Sequence, residues 1–318
     1  MPEQPVAAAP RRTAPFGDTL AARVAERESQ IVLGLDPDPL ALWPGVIESA
    51  RRRGDVPPVQ LAAIAILSHC RALIDAVAPA CVAVKPQLAC FERFGAPGQT
   101  VLAAVLGHAR DAGLLVIADG KRGDIDVSAR AYAEALFGGL QTPFGAVAGL
   151  GADAVTVNPL MGRDAVEPFV AAARPRGAGV LALVRTSNPG ADDVEELELA
   201  SGGVVWERLA RIVDELGRPG VGESGLSDVG AVVGATAPGS LARARELMPN
   251  AVFLLPGVGA QGGRVEDLRP AFAPGPAGGL VSASRSIACA YRTAGGDPAE
   301  AARAEAERLR QAARALRS

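Results

Sequence analysis

Short apolar runs alternate with longer amphipathic stretches along this chain, eight times over. The runs are IVLGLD (31–36), CVAVKP (81–86), LLVIAD (114–119), AVTVNP (154–159), GVLALVR (179–185), VGAVVGA (229–235), AVFLLPG (251–257) and GLVSAS (279–284). Near-continuous apolar runs of this length read as strands buried on both faces, as in a parallel sheet. Helical spacing is expected near 57–78, 98–112, 126–138, 162–173, 201–217, 238–247, 263–269 and 298–316. In the 126–138 stretch, for instance, Ala129, Ala133 and Leu136 share one face. Eight β-α units predict an α/β protein, a (β/α)₈ TIM barrel, with a doubly wound open sheet as the alternative. Such a barrel needs roughly 250 residues. The 318 residues therefore accommodate one over 16–318, with an Ala/Pro-rich, flexible tail over 1–15.

The chemistry gathers at the ends of these runs. The first ends in Asp36, the second in Lys85 and then Gln87, the third in Asp119 and Lys121, the fourth in Asn158. The fifth leads into Arg185, Thr186, Ser187 and Asn188. In a barrel these ends meet on one face, where active sites sit. GVGAQGG (257–263) follows the seventh run and SASRS (282–286) overlaps the end of the eighth. Small-residue turns in this pair of positions suit a phosphate, and Arg285 adds a charge-assisted donor. The stretch IADGKRGDI (117–125) packs four charges into six positions. Residues two apart on a strand point the same way, so Asp119 and Lys121 converge if the extended backbone persists. Asp124 is expected as the cap of the next helix. A solvated turn with a cap would explain the stretch by itself. Lys85 and Asp36 on neighbouring strand ends favour a confined charge network instead, in which each charge holds its neighbour ionised.

Composition narrows the chemistry. Of 32 basic residues, 30 are arginine and only two, Lys85 and Lys121, are lysine. Lysine can exchange a proton near neutral pH when its surroundings tune it, and arginine cannot. The two histidines, His69 and His108, lie in helical stretches away from every motif. The four cysteines (Cys70, Cys81, Cys90, Cys289) form no C-x-x-C pair, so buried reduced thiols in a cytoplasmic protein are expected. A net charge of −3 argues against general nucleic-acid binding. No apolar run of membrane-spanning length and no signal-peptide core is read along the chain. Nucleotide-cofactor fingerprints are likewise missing.

The ordered set VLGLDPDP, VAVKPQLACFE, IADGKRGDI, VTVNPLMG, VRTSNPG, LLPGVGAQGG and VSASRSI resembles the orotidine 5′-phosphate decarboxylase family. The K-P-Q and S-N-P-G forms are similar to its longer bacterial branch. The resemblance implies a (β/α)₈ homodimer using no cofactor or metal, which converts orotidine 5′-monophosphate to UMP in pyrimidine-nucleotide synthesis. It implies that Lys121 protonates C6 as CO₂ leaves. Asp119 would sit against the substrate carboxylate, with Lys85 and Asp119 flanking Lys121. Asp124 would reach in from the partner subunit, and Asp36 and Lys85 would bind the ribose hydroxyls. Ser187 would meet the pyrimidine edge and Gln261 would span base and phosphate. Arg285 and the amides around Gly262 and Ser284 would hold the phosphate. Asp126 and Ser128 stand where the family often has Gly or Pro and then Thr; the Ser128 hydroxyl keeps a cross-subunit ribose contact open. The loop after the seventh strand is short, so the acidic segment 190–203 is expected to help exclude water. Rival readings are a Mg²⁺-dependent enzyme on the same scaffold, a Schiff-base aldolase using Lys85 or Lys121, and a nucleotide-binding regulator without turnover.

Overall fold

The structure is a computed structural model that describes residues 13–235, 238–259 and 262–317. Its strands are β1 Ile31–Leu35, β2 Ala83–Pro86, β3 Leu115–Arg122, β4 Leu140–Thr142, β5 Gly145–Val147, β6 Ala154–Val157, β7 Gly179–Arg185, β8 Val229–Val233, β9 Phe253–Leu255 and β10 Gly279–Ala283. The eight expected runs form a closed parallel barrel in the order β1-β10-β9-β8-β7-β6-β3-β2. The open-sheet alternative is thereby excluded. The short β4-β5 hairpin stands outside the barrel and was not predicted.

The apolar runs are in fact two alternating faces, both buried. Val32, Leu115, Ile117, Leu181, Leu254 and Leu280 fill the barrel's interior, while Ile31, Leu33, Val116, Val155 and Val180 belong to the shell that packs on the helices. The interior cluster is completed by a helix the sequence reading did not separate from its surroundings, Phe16–Arg27. Its Phe16, Leu20 and Val24 recur at helical spacing and are all buried in that cluster. Phe16 lies against Gly179, the first residue of β7, where any Cβ would come within 2.5 Å of the ring. The helix therefore plugs the end of the barrel opposite the strand C-termini.

Other expected elements changed character. The 263–269 stretch is a 3₁₀ helix, Val265–Phe272, with Pro270 inside it; proline withholds an N–H and disfavours a longer α-helix. The 162–173 stretch divides into a 3₁₀ turn at Arg163–Ala165 and a helix at Glu167–Ala173. The Pro44–Arg51 helix was not expected. The segment Pro58–Ala80 is long and apolar enough by length and composition to cross a membrane, contrary to the sequence reading. More than half of its most apolar 18 residues are buried, and it packs in the helical layer against the Gly95–Asp111 and Pro298–Arg314 helices.

A buried arginine ties the floor together. Arg245 donates from Nη1 to the carbonyls of Met248, Pro249 and Ala251 and from Nη2 to those of Ala271 and Gly278. Its guanidinium lies 3.8 Å from the Phe253 ring centroid. Burial pulls its pKa down to about 9, so it stays charged at neutral pH. One fork thus satisfies carbonyls that would otherwise be buried without donors. Arg245→Met should cost about 3 kcal/mol or more of stability, and Arg245→Lys should recover only part of it; thermal unfolding of both variants checks this.

Candidate active site

At the C-terminal ends of the strands a cavity of about 540 Å³ opens, and Asp36, Lys85, Asp119, Lys121 and Ser187 all line it. Four donors converge on the Asp119 carboxylate. Lys85 Nζ donates to Oδ2 at 2.5 Å and Lys121 Nζ to Oδ1 at 2.6 Å. Thr156 Oγ1 donates to Oδ1 at 2.7 Å, and Gln87 Nε2 reaches Oδ2 at 3.4 Å. Asp119 is only 4% exposed and Lys85 8%. Burial alone would raise the Asp119 pKa, but the two ammonium groups and their hydrogen bonds outweigh it and hold the carboxyl at about 2. Burial likewise disfavours the charged form of Lys85, yet the carboxylates of Asp119 and Asp36 overcome it and raise its pKa.

Lys121 reaches this position by a different backbone from the one expected. Its φ is +48°, in the left-handed region, so the strand is not extended there. Ala118 pairs with Val155 and Arg122 with Val157, which leaves two extra residues on β3 between those pairs. This bulge lifts Gly120 and Lys121 out of the ladder and re-aims the lysine over Asp119. Thr156 secures the distortion, because its hydroxyl accepts the Lys121 N–H at 3.0 Å while donating to Asp119. The sequence reading missed Thr156. Its signal was a lone hydroxyl in an otherwise apolar run, AVTVNP, two residues before Asn158.

The remaining predicted residues lie around this centre. Ser284 and Arg285 line an adjoining hollow of about 430 Å³, and Asp36 forms a wall common to both. Gly34 on β1 permits this arrangement, since a Cβ there would come 2.7 Å from the Ser284 Cβ. Gly262 begins the described chain after the seventh-strand loop, with φ +88° and its N–H donating to Gly259 O. Gln261 lies outside the described residues. Asp124 and Ser128 do not line the cavity of their own chain. Asp124 is not the helix cap either. The Asp126–Phe137 helix has Ile125 at its N-cap, and the Asp124 carboxylate accepts the adjacent Ile125 N–H. Among the described residues no group of three or more His, Cys, Asp or Glu gathers as metal ligands.

Comparison with known proteins decides what this arrangement belongs to. A sequence profile of the orotidine 5′-phosphate decarboxylase / HUMPS family matches residues 29–304. The chain belongs to that family. It is 40% identical over 284 residues to an orotidine 5′-phosphate decarboxylase of Rhodopirellula baltica, covering 87% of this chain and 89% of that one. A second such enzyme, from Deinococcus radiodurans, is 41% identical over 276 residues, covering 86% and 89%. The solved structure of the OMP decarboxylase of Leishmania donovani superimposes with a TM-score of 0.70 at 32% identity, covering 95% of this chain and 99% of that one. The expectations of this family, of its barrel and of a decarboxylase, a carboxy-lyase of pyrimidine biosynthesis, hold.

The charge centre has a stability signature. The Asp119 pKa lies below its ordinary value of 3.8, so its contribution is full above that value and is lost as pH falls toward about 2. The shift corresponds to about 2 kcal/mol. In urea unfolding, the stability gap between the native chain and Asp119→Asn should narrow by that amount from about pH 5 to about pH 2.

Proposed function

We propose that this chain decarboxylates orotidine 5′-monophosphate to UMP without metal or cofactor, with Lys121 as the proton donor. The observation that carries the reading is Asp119 held as an anion between Lys85 and Lys121 at the mouth of the barrel. Loss of CO₂ from C6 leaves an sp² carbanion with almost no delocalisation. Such a step demands a barrier reduction on the order of 20 kcal/mol. An ammonium beside the carbon stabilises the developing charge and then delivers a proton to it. Lys121, more exposed than Lys85 and facing the open cavity, suits that role. Asp119 then lies against the substrate carboxylate. Asp36 and Lys85 receive the ribose, Ser187 the pyrimidine edge, and Ser284, Arg285 and Gly262 the phosphate, with Gln261 spanning base and phosphate. Binding energy from phosphate and ribose pulls the base into the charged pocket.

The same reading makes the enzyme a homodimer with shared sites. Asp124 and Ser128 do not line the site cavity of their own subunit, which suits residues that serve a neighbour. Exposed apolar side chains flank them: Ile125 and Val127 on one side, Leu160 and Met161 on the adjoining loop. Four free cysteines are consistent with a cytoplasmic home.

Loss of orotidine 5′-monophosphate absorbance in the presence of EDTA tests the activity directly, and a rate abolished by EDTA would favour a metal-dependent relative. Lys121→Ala should lower kcat by about 10³-fold or more while weakening UMP binding far less. Lys121→Ala and Asp124→Ala chains, each nearly inactive alone, should regain activity when mixed and allowed to exchange subunits. Complete exchange without recovery would rule out sharing.

A further inference from the structure

We propose that Arg185 is a positioning residue for the pyrimidine end of the site: its guanidinium clamps the acidic segment that follows β7 so that Ser187 is held facing the cavity. This rests on the reading of Ser187 as the contact to the base.

The geometry is that of a cation ringed by anions. Arg185 is the last residue of β7 and is 8% exposed. A register shift between Leu183 and Arg185 marks a bulge at the strand's end. Its Nε donates to Glu196 Oε1 at 2.8 Å, Nη1 to Glu195 Oε2 at 3.1 Å and Nη2 to Asp192 Oδ1 at 2.6 Å. Nη1 also reaches the carbonyl of the next residue, Thr186, at 3.2 Å. The ring closes through Glu195, whose Oε2 accepts the Thr186 N–H at 2.9 Å and whose Oε1 accepts the Thr186 hydroxyl at 2.7 Å. Every partner lies within eleven residues of Arg185, so the network joins the two ends of one loop.

Ser187 is inside that loop, next to Thr186, and is also fixed from β8. Gly234 N donates to Arg185 O at 2.7 Å, and a Cβ on Gly234 would stand 2.9 Å from both Cα and Cβ of Ser187. The serine is therefore seated on bare backbone on one side and braced by the clamp on the other. Three carboxylates this close repel one another unless a single cation serves them all. Glu195, with a side chain only 15% exposed, would be left as a nearly buried, uncompensated charge. A guanidinium presents five N–H donors in a rigid fork, whereas an ammonium is a point charge that cannot span three separated acceptors. The clamp therefore specifies arginine, and it acts on the substrate only through the loop it holds.

A double-mutant cycle distinguishes this from general support of the fold. Arg185→Lys should lower kcat/KM for orotidine 5′-monophosphate by about tenfold in the native background and by less than about twofold in a Ser187→Ala background. An equal fold-loss in both backgrounds, or undiminished kcat/KM in Arg185→Lys, would overturn the clamp. If Arg185→Lys fails to fold, Glu196→Ala, which removes one acceptor and keeps the arginine, enters the same cycle with the same two outcomes. A Ser187→Ala chain that turns over at the native rate removes the pyrimidine assignment itself, a failure separate from that of the clamp.

Discussion

A carboxylate with almost no access to water stays ionised only when cations repay the hydration it has lost, and the cations gain as much in return. Asp119 and Lys85 stand in this relation: each is nearly buried, and each alone would be driven toward its neutral form. Lys121 and Thr156 occupy the remaining face of the carboxylate, so its lone pairs are directed before any substrate arrives. The arrangement of strands at the barrel mouth follows from the need to bring four donors from β2, β3, β6 and the β2 loop onto two oxygen atoms.

Regular parallel pairing would not achieve that. The bulge in β3 and the left-handed Lys121 supply the extra reach, and such backbone costs of order 1 kcal/mol or more to maintain. Fixed packing around the bulge sustains it. Gly120 lies against Leu88, and Gly123 lets the chain pass over the Asn158 carbonyl, where a Cβ would stand at 2.8 Å. The glycines in IADGKRGDI are thus part of the electrostatics. They let a strained segment sit close enough for its lysine to reach the buried acid.

The barrel was legible because its signal is redundant: eight apolar runs, each overlapping the strand it forms, seven of them leading into chemistry. The site was legible where chemistry and strand end coincide, at Asp36, Lys85, Asp119 and Lys121. What escaped depended on tertiary context. The Phe16–Arg27 helix carries a clear Phe16, Leu20, Val24 spacing, yet no apolar run was read before it to mark it as the helix of a β-α unit, and only the barrel floor gives it a role. The β4-β5 hairpin is short and largely exposed, so it lacks the apolar alternation that announces a strand. Asp124 was expected as a cap because aspartate favours that position, but the helix starts two residues later, after Ile125, and the carboxylate is left for other use. Thr156 was invisible because a single hydroxyl in a strand acquires meaning only once Asp119 is known to face it.

The near-absence of lysine from an arginine-rich chain can be read in the same physical terms. Arginine fills the roles in which a permanent charge must serve many acceptors at once: Arg245 beneath the barrel with five carbonyls, Arg174 with both oxygens of Asp228, Arg185 with three carboxylates. None of those roles tolerates loss of a proton. Both lysines line the same cavity, around the buried Asp119. Lys85, held cationic by Asp119 and Asp36, provides a fixed field, while Lys121 occupies the wetter edge. On the proposed reading, two residues of one type are thereby divided between holding charge and transferring it, and burial separates them.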